Sequence, residues 1–567
     1  MYLNIKSNCL QLIKLLIICC VLASCSKDKD EPFQAPVISF ANTTGIYTVK
    51  VGKTITIEPI VENDYNALYS WIADGKLLST EKNLTYSSDK NGQVHVVFKV
   101  ITDYGSDDKE IRIDVAALVP PSISLGVPKD GYVILKEREL LLAPEVDNSN
   151  DASYKWLVDG NQVSTSKDYN FKSETVGDFR LTLIATNEDG EDVLEFDVHV
   201  KEPSDMPFSW VFESAEYNVS KGRTIRLMPF SIRNAFDAEY SWAINGTEVQ
   251  NSSNALYAFK AETEGTYTIS VTMKNSYSEV KQNLTVNVCP AEGIYKRPAT
   301  AASESKWNKV YEFLPAPGQF VNNGYTVTTM AEAVSYAESR LNANAYVSLG
   351  GFGGYVVLGF DHSIDNDGGY NFQVMGNSLP GSSEPGIVWV MQDENGDGLP
   401  NDTWYELKGS EYGKPETIQD YEVTYYRPIA TGMSVAWTDN QGKSGSIDYL
   451  AAYPHWVSEN SYTLRGTCLK SRTRETSPGY WSNDAFEWGY ADNFSAIDRL
   501  TDDENYNAGV NANHFKISDA VTFDGKPANL QYIDFIKIQT GVNAKAGWLG
   551  ENSTEVFGAA DFNLIKK

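Results

Sequence analysis

The chain has 567 residues and carries 75 acidic against 47 basic side chains, a net charge of −28. That length exceeds what one hydrophobic core can organise, so several domains are expected. The charge repels nucleic-acid phosphates and is a poor match to anionic lipid, which excludes nucleic acid as a partner. The first element in chain order is an export signal: Lys6 and Lys14, an apolar run over residues 15–23, then Leu22-Ala23-Ser24-Cys25. A basic start, a short greasy stretch and small residues before a cysteine form a lipobox, too short to be a permanent span. Residues 1–24 are therefore expected to be removed and Cys25 to be lipidated, with 25–34 as a flexible tether.

The charged residues Lys27, Asp28, Lys29, Asp30 and Glu31 after that cysteine resemble the surface-export signal of Bacteroidetes lipoproteins. The resemblance implies an outer-membrane protein, held to the membrane only by its lipid and facing the extracellular side. Of six cysteines, Cys9, Cys19 and Cys20 leave with the signal and Cys25 takes lipid. Cys289 and Cys468 remain, either paired or as two separate buried thiols.

The next elements repeat. Tyr69-Ser70-Trp71 with Asp74-Gly75 returns as Tyr154-Lys155-Trp156 with Asp159-Gly160, and as Tyr240-Ser241-Trp242 with Asn245-Gly246, a period of roughly 85 residues. Alternating apolar stretches open and close each unit, and the Asp-Gly or Asn-Gly pair supplies the positive backbone angles of a tight hairpin. An all-strand unit of this length with one central indole fits an immunoglobulin-like sandwich. The units resemble PKD-like domains of Bacteroidetes surface proteins. Expected boundaries are 35–116, 117–202 and 203–290. Pro120-Pro121-Ser122 and Pro203-Ser204-Asp205 are read as stiff linkers that hold the three units extended as a spacer.

From residue 291 to 567 the repeat stops and glycine, aromatic and Asn/Asp-rich turns become dense. One helix is predicted over 330–341, capped by Thr329 with Glu332 three residues on. The remainder reads as strands, so the whole chain is expected to be all-β: three tandem sandwiches, then a larger jelly-roll-like sandwich with long insertions. Within it, Asp393, Asn395 and Asp397 alternate oxygen side chains before Gly398 and the Leu399 carbonyl, the start of a loop that wraps a hard cation. Asn401, Asp402 or Glu406 would complete the shell. Calcium suits these ligands, in a structural role, although position twelve is Trp404 rather than a bidentate glutamate. The alternative is a polar hairpin without metal.

An irregular aromatic stretch follows: Tyr453, Pro454, His455, Trp456, then Tyr480, Trp481, Phe486, Trp488 and Tyr490. These rings either line a recognition surface for a sugar or a large flat cofactor, or fix the insertion to the sandwich. Arg472, Arg474 and Arg499 either meet amides, carboxylates or phosphates of such a ligand or are solvated surface arginines. Gly-x-Ser-x-Gly, His-Glu-x-x-His, Cys-x-x-Cys and phosphate-loop motifs are missing, so no catalytic residue is assigned.

Glycine-rich 350–354, 359–362, Tyr370 through Asn377, Ser383-Glu384-Pro385-Gly386, the 393–406 segment, and Gly547-Trp548-Leu549-Gly550-Glu551 with Ser553-Thr554-Glu555-Val556 together resemble a family of PKD-like cell-surface lipoproteins of Bacteroidetes. Its members are often encoded with TonB-dependent receptors, including those for cobalamin. The resemblance implies a surface protein that binds a corrinoid and passes it to a TonB-dependent outer-membrane receptor and its accessory lipoproteins; it carries over no contact residue, and Tyr453, Trp456, Tyr480, Trp481, Trp488, Tyr490 and Arg474 are expected at the site from the aromatic stretch itself. A glycan-binding protein and a purely structural or adhesive one are the alternatives.

Overall fold

The computed structural model describes residues 33–321, 327, 329–430, 432–448, 459–500, 511–547 and 551–566. Residues 1–32, with Cys25 and the expected leader, lie outside them. Among the described residues no helix is long and apolar enough to cross a membrane.

The chain forms two compact units, one ending at Val119 and the other beginning at Pro120. The first is a single sandwich. Its larger sheet has the order Ile46–Lys50, Gly105–Ala116, Gly92–Thr102, Leu68–Ala73 and Lys76–Ser79, the first pair parallel and the rest antiparallel. Two-stranded ladders, Val37–Phe40 with Pro59–Glu62 and Thr54–Ile57 with Leu84–Ser87, close the other face. Alternation explains the layering: in Gly92–Thr102, Val96, Phe98 and Val100 are fully buried and their neighbours are not. Trp71 fills the centre, stacked on Phe98 at 4.2 Å, and Asp74 and Gly75 turn the hairpin at φ 48° and 74°.

The second unit opens with two copies of this sandwich, centred on Trp156 and Trp242, both fully buried. The last domain follows. Its six-stranded antiparallel sheet runs Lys309–Leu314, Tyr355–Asp365, Tyr532–Thr540, Gly386–Met391, Trp404–Leu407 and Ala520–Val521. A four-stranded sheet around Ile418–Tyr426 and a three-stranded one around Phe372–Met375 share its core. The helix spans Met330–Asn342, with Thr329 Oγ1 accepting from the Glu332 N–H at 3.2 Å, and a one-turn helix, Phe562–Ile565, was not foreseen.

The spacer expectation fails for the second and third modules, which are docked on the last domain. Lys129 N–H donates to the Arg427 carbonyl at 2.7 Å, Lys545 pairs with Glu145 at 3.1 Å, and Ile429 and Met433 pack into the second module's core. From the third module Arg223 pairs with Glu292 at 2.6 Å and donates to the Ala528 carbonyl at 2.9 Å, while Arg226 meets Asp420 at 2.5 Å. Pro203–Asp205, read as a stiff extended linker, is a single 3-10 turn. Polar anchors of this kind leave no apolar stripe in the sequence, which is why the modules read there as free beads.

Cys289 and Cys468 are both free and buried, so the pairing option is excluded. Burial pushes their thiols up to about 11 and about 12.

Candidate functional site

The 393–402 loop joins two neighbouring strands of the six-stranded sheet, and its side chains fold it by capping its own backbone. Asp393, 3% exposed, accepts from the Gly396 and Gly398 N–H groups at 2.7 and 3.0 Å. Asn395 Oδ1 accepts from Asp397 N–H at 2.9 Å and Asp397 Oδ1 from Leu399 N–H at 2.8 Å. Asp397 Oδ2 also receives the amides of Asn395 and Asn401, at 2.9 and 2.8 Å. Asp393, Asn395, Asp397 and Asn401 are thus brought around one turn.

Asp402 is turned elsewhere: Oδ2 accepts from Glu394 N–H at 3.0 Å and Oδ1 is buried without a partner. Glu406 belongs to the following strand and accepts from Thr467 Oγ1 at 2.7 Å. Glu394, next to Asp393, is 4% exposed, and its carboxyl is met by Ser220 of the third module and by Thr403. Burial pushes Glu394 up to about 7 and Asp402 up to about 8, and raises Asp393 as well. The loop abuts the third module, where Asn218 donates to the Asn401 carbonyl at 3.2 Å and accepts, through its own carbonyl, from Thr403 Oγ1 at 3.2 Å.

The aromatic residues do not form one cluster. Tyr453 and Trp456 lie outside the described residues. Tyr490 is a correction: it is 2% exposed, edge-on to Phe486 at 5.3 Å, its hydroxyl accepting from Glu411 N–H at 2.9 Å. It belongs to a small core with Ile387, Leu469 and Val542, the footing of the insertion rather than its surface. Trp488 is half-buried and lines a separate cavity of about 280 Å³ with Tyr370, Ile497 and His514.

Tyr480 and Trp481 do reach solvent, 72% and 42% exposed, on the hairpin Thr473–Ser477 and Tyr480–Asn483. Arg474 is on the same hairpin, held in a two-pronged pair with Asp484 at 2.6 and 3.2 Å. The hairpin is tied down where Asn483 donates to the Gly381 carbonyl at 2.7 Å and accepts from Ser383 N–H at 3.1 Å. Trp481 also lies against Gly547, where a Cβ would come 2.4 Å from the indole. Leu379, on the adjoining turn, is 61% exposed. The result is a fixed patch of two rings and an aliphatic side chain beside an arginine-aspartate pair. Such a patch can stack on the flat face of a ligand and bond its polar edge.

Residues 35–102 and 120–187 each match the PKD-like domain family, which covers the cores of the first two modules. These are modules of the structural and adhesive cell-surface type, a kind that is typically non-catalytic. A search of curated proteins found no match. Among solved structures, the chain is similar to the I-band fragment I67-I69 from titin, at 13% identity over 45% of this chain and 98% of that one, with a TM-score of 0.22. It is also similar to the Clostridium thermocellum CbhA fibronectin(III)-like modules, at 16% identity over 29% and 95% with a TM-score of 0.18. Drosophila OTK extracellular domains 3-5 align at 15% identity over 45% and 95%, with a TM-score of 0.16.

Proposed function

We propose that the chain is a lipid-anchored protein of the outer cell surface whose last domain binds a flat, ring-built nutrient on the Tyr480 and Trp481 face. The cargo is cobalamin, passed on to a TonB-dependent receptor. The observation that carries this reading is the exposure of two large rings on a hairpin fixed at its base. Solvent-facing aromatic side chains cost apolar hydration in the free protein and give it back when a ligand covers them. A corrin offers both a broad face and a fringe of amides for the Arg474 and Asp484 pair. Attachment through Cys25 keeps this face at the membrane surface, and calcium in the 393–402 loop, bound by Asp393, Asn395, Asp397 and the Leu399 carbonyl, stiffens the seam with the third module.

Calorimetry of cyanocobalamin against the full chain tests the reading. Binding is expected, and Tyr480→Ala, a change at an exposed ring, is expected to weaken it about tenfold or more, in line with the loss of one stacked aromatic. Absence of corrinoid binding sinks the cobalamin reading, and retention on polysaccharide gels by the same face would assign it to a glycan.

A further inference from the structure

One face of the six-stranded sheet packs into the core of the last domain, and the other carries a different set of side chains. Strand pairing places Glu312, Val357, Lys537, Trp389 and Glu406 side by side in one row across five strands. The residues that alternate with them, Val356, Leu358, Ile536, Ile538, Val388 and Val390, belong to the core. Where the row meets the third module there is a cleft of about 160 Å³, walled by Trp389, Trp404, Glu406 and Lys537 from the last domain and by Thr224, Ile225 and Arg226 from the module.

Lys537 is the group in this cleft whose charge is left open. Its ammonium is over the rings of Trp404, Trp389 and Tyr355, at 5.0, 5.1 and 5.7 Å, and among the described residues it has neither ion pair nor hydrogen bond. The acids whose fields reach it are engaged elsewhere: Glu213 by Arg465 at 2.6 Å, and Glu312, which does not line the cleft, by the Tyr355 hydroxyl at 3.1 Å. The remaining charges of the wall are also matched. Arg226 pairs with Asp420 at 2.5 Å, Glu406 accepts from Thr467 Oγ1 at 2.7 Å, and Asp402 accepts from Glu394 N–H at 3.0 Å. Burial raises Glu406 and Asp402 to about 7 and about 8, so both carry protons near pH 6.

A second open donor lies in the same wall. The Arg465 side chain is 7% exposed, and while Nη2 is on Glu213, Nη1 has no acceptor among the described residues. Gln539, two residues from Lys537 on the same strand and therefore on the same face, donates to the Arg465 carbonyl at 2.9 Å. That bond holds the two cations over one patch of sheet.

We propose that this cleft binds a small organic monoanion, a carboxylate on a single ring, with the carboxylate against Lys537 and Arg465 and the ring against Tyr412, Phe523 and Ile225. A domain boundary with aromatic walls and a few convergent polar groups is where small ligands are held. One unmatched positive charge suits one carboxylate and would leave a phosphate dianion half-neutralised. A cavity of about 150 Å³ takes benzene, so this cleft admits one ring and is too small for a corrin. Sugar acids and aromatic acids share the required chemistry. This inference does not rest on the cobalamin reading.

The test is calorimetry of the full chain at pH 6 with glucuronate and with benzoate, against glucose and benzamide as their uncharged counterparts. At least one acid is expected to bind at about 1 mM or tighter, and at least about tenfold more tightly than its counterpart. The acid that binds assigns the ring. Lys537→Met removes the charge at similar volume and is expected to weaken that acid at least about tenfold. Gln419→Trp, at an exposed residue bordering the cleft, should block the same site without touching the core, and serves if the methionine variant does not fold. Tyr480→Ala should bind the acid as the parent does, and a chain that ignores cyanocobalamin should bind it too. No binding by either acid, equal binding of acid and counterpart, or acid binding unchanged in Lys537→Met and Gln419→Trp overturns the proposal.

Discussion

Arg465 crosses from the last domain to Glu213 of the third module, Nη2 to Oε1 at 2.6 Å, with the arginine only 7% exposed and the glutamate 57%. The two ends of this bridge are therefore unequal. Glu213→Ala leaves a buried guanidinium without its partner, softened by the fields of Asp420 and Glu422, and should cost about 1–2 kcal/mol. Arg465→Met keeps the volume against Phe230 and leaves Glu213 in water, and should cost less. Urea unfolding of the two variants checks the order; a reversed order would show that the bridge does not hold the module in place.

The three central tryptophans are sterically alike but differ in one bond. Trp71 and Trp156 donate their indole N–H to the carbonyls of Glu81 and Lys167, each at 3.1 Å, whereas the Trp242 indole N–H is buried without an acceptor among the described residues. Alanine at any of them is expected to cost about 3–5 kcal/mol. Phenylalanine should separate them: Trp242→Phe is expected to be milder than Trp71→Phe or Trp156→Phe by about 1 kcal/mol. Thermal melts of the three phenylalanine variants decide it.

That repeat was legible in the sequence because a sandwich core is local. Trp71, its Asp74-Gly75 turn and the alternating strands fall within one period, and Thr329 and Glu332 mark a helix start within four residues. The cleft at Lys537 was not legible, because Lys537, Trp389 and Trp404 meet only through pairing of segments far apart in the chain. Nor was the burial of Tyr490, since a stretch without periodicity gives no sign of which ring faces inward. The acidic loop lies between these cases: its alternation gave Asp393, Asn395 and Asp397, but Glu394, between the first two, is buried almost as deeply as Asp393 and meets Ser220 of another module.

Gly396 and Gly398 in that loop should respond differently to alanine. Both have positive φ, 80° and 71°, a cost of about 1 kcal/mol for any residue with a Cβ. At Gly396 a Cβ would also come 2.4 Å from the Tyr295 ring, while at Gly398 it meets nothing within 4 Å. Gly398→Ala is therefore expected to lose about 1 kcal/mol and Gly396→Ala at least about 2 kcal/mol, through overpacking against the ring. Equal losses in chemical unfolding would show that Tyr295 yields freely.

Stability in chelator should fall as pH rises from about 5.5 to about 8. Burial pushes Glu394, Glu406 and Glu551 up to about 7 and Asp402 up to about 8, whereas unfolded carboxyls titrate near about 4. Between those limits the folded chain holds protons that the unfolded chain has released. Raising the pH therefore favours unfolding until the folded groups have also titrated. His362 adds to the same slope: hydrogen bonding to Asp561, and then to Asp361, raises it, so its contribution is complete below the unfolded value near about 6.5 and is lost as pH climbs through the folded one. Carboxylates with lowered values, such as Asp64 and Asp367, act only at more acid pH and do not oppose this trend. Saturating calcium should flatten the curve, because a cation in the 393–402 loop replaces protons at Asp393. Glu406→Gln separates one group from the sum: it keeps the bond to Thr467 without a titrating proton, so relative to the parent it should gain stability at pH 8 over pH 5.5. Urea midpoints across that range, with and without calcium, are the measurement, and a midpoint in chelator that rises with pH would mean these carboxyls are ionised in the folded chain.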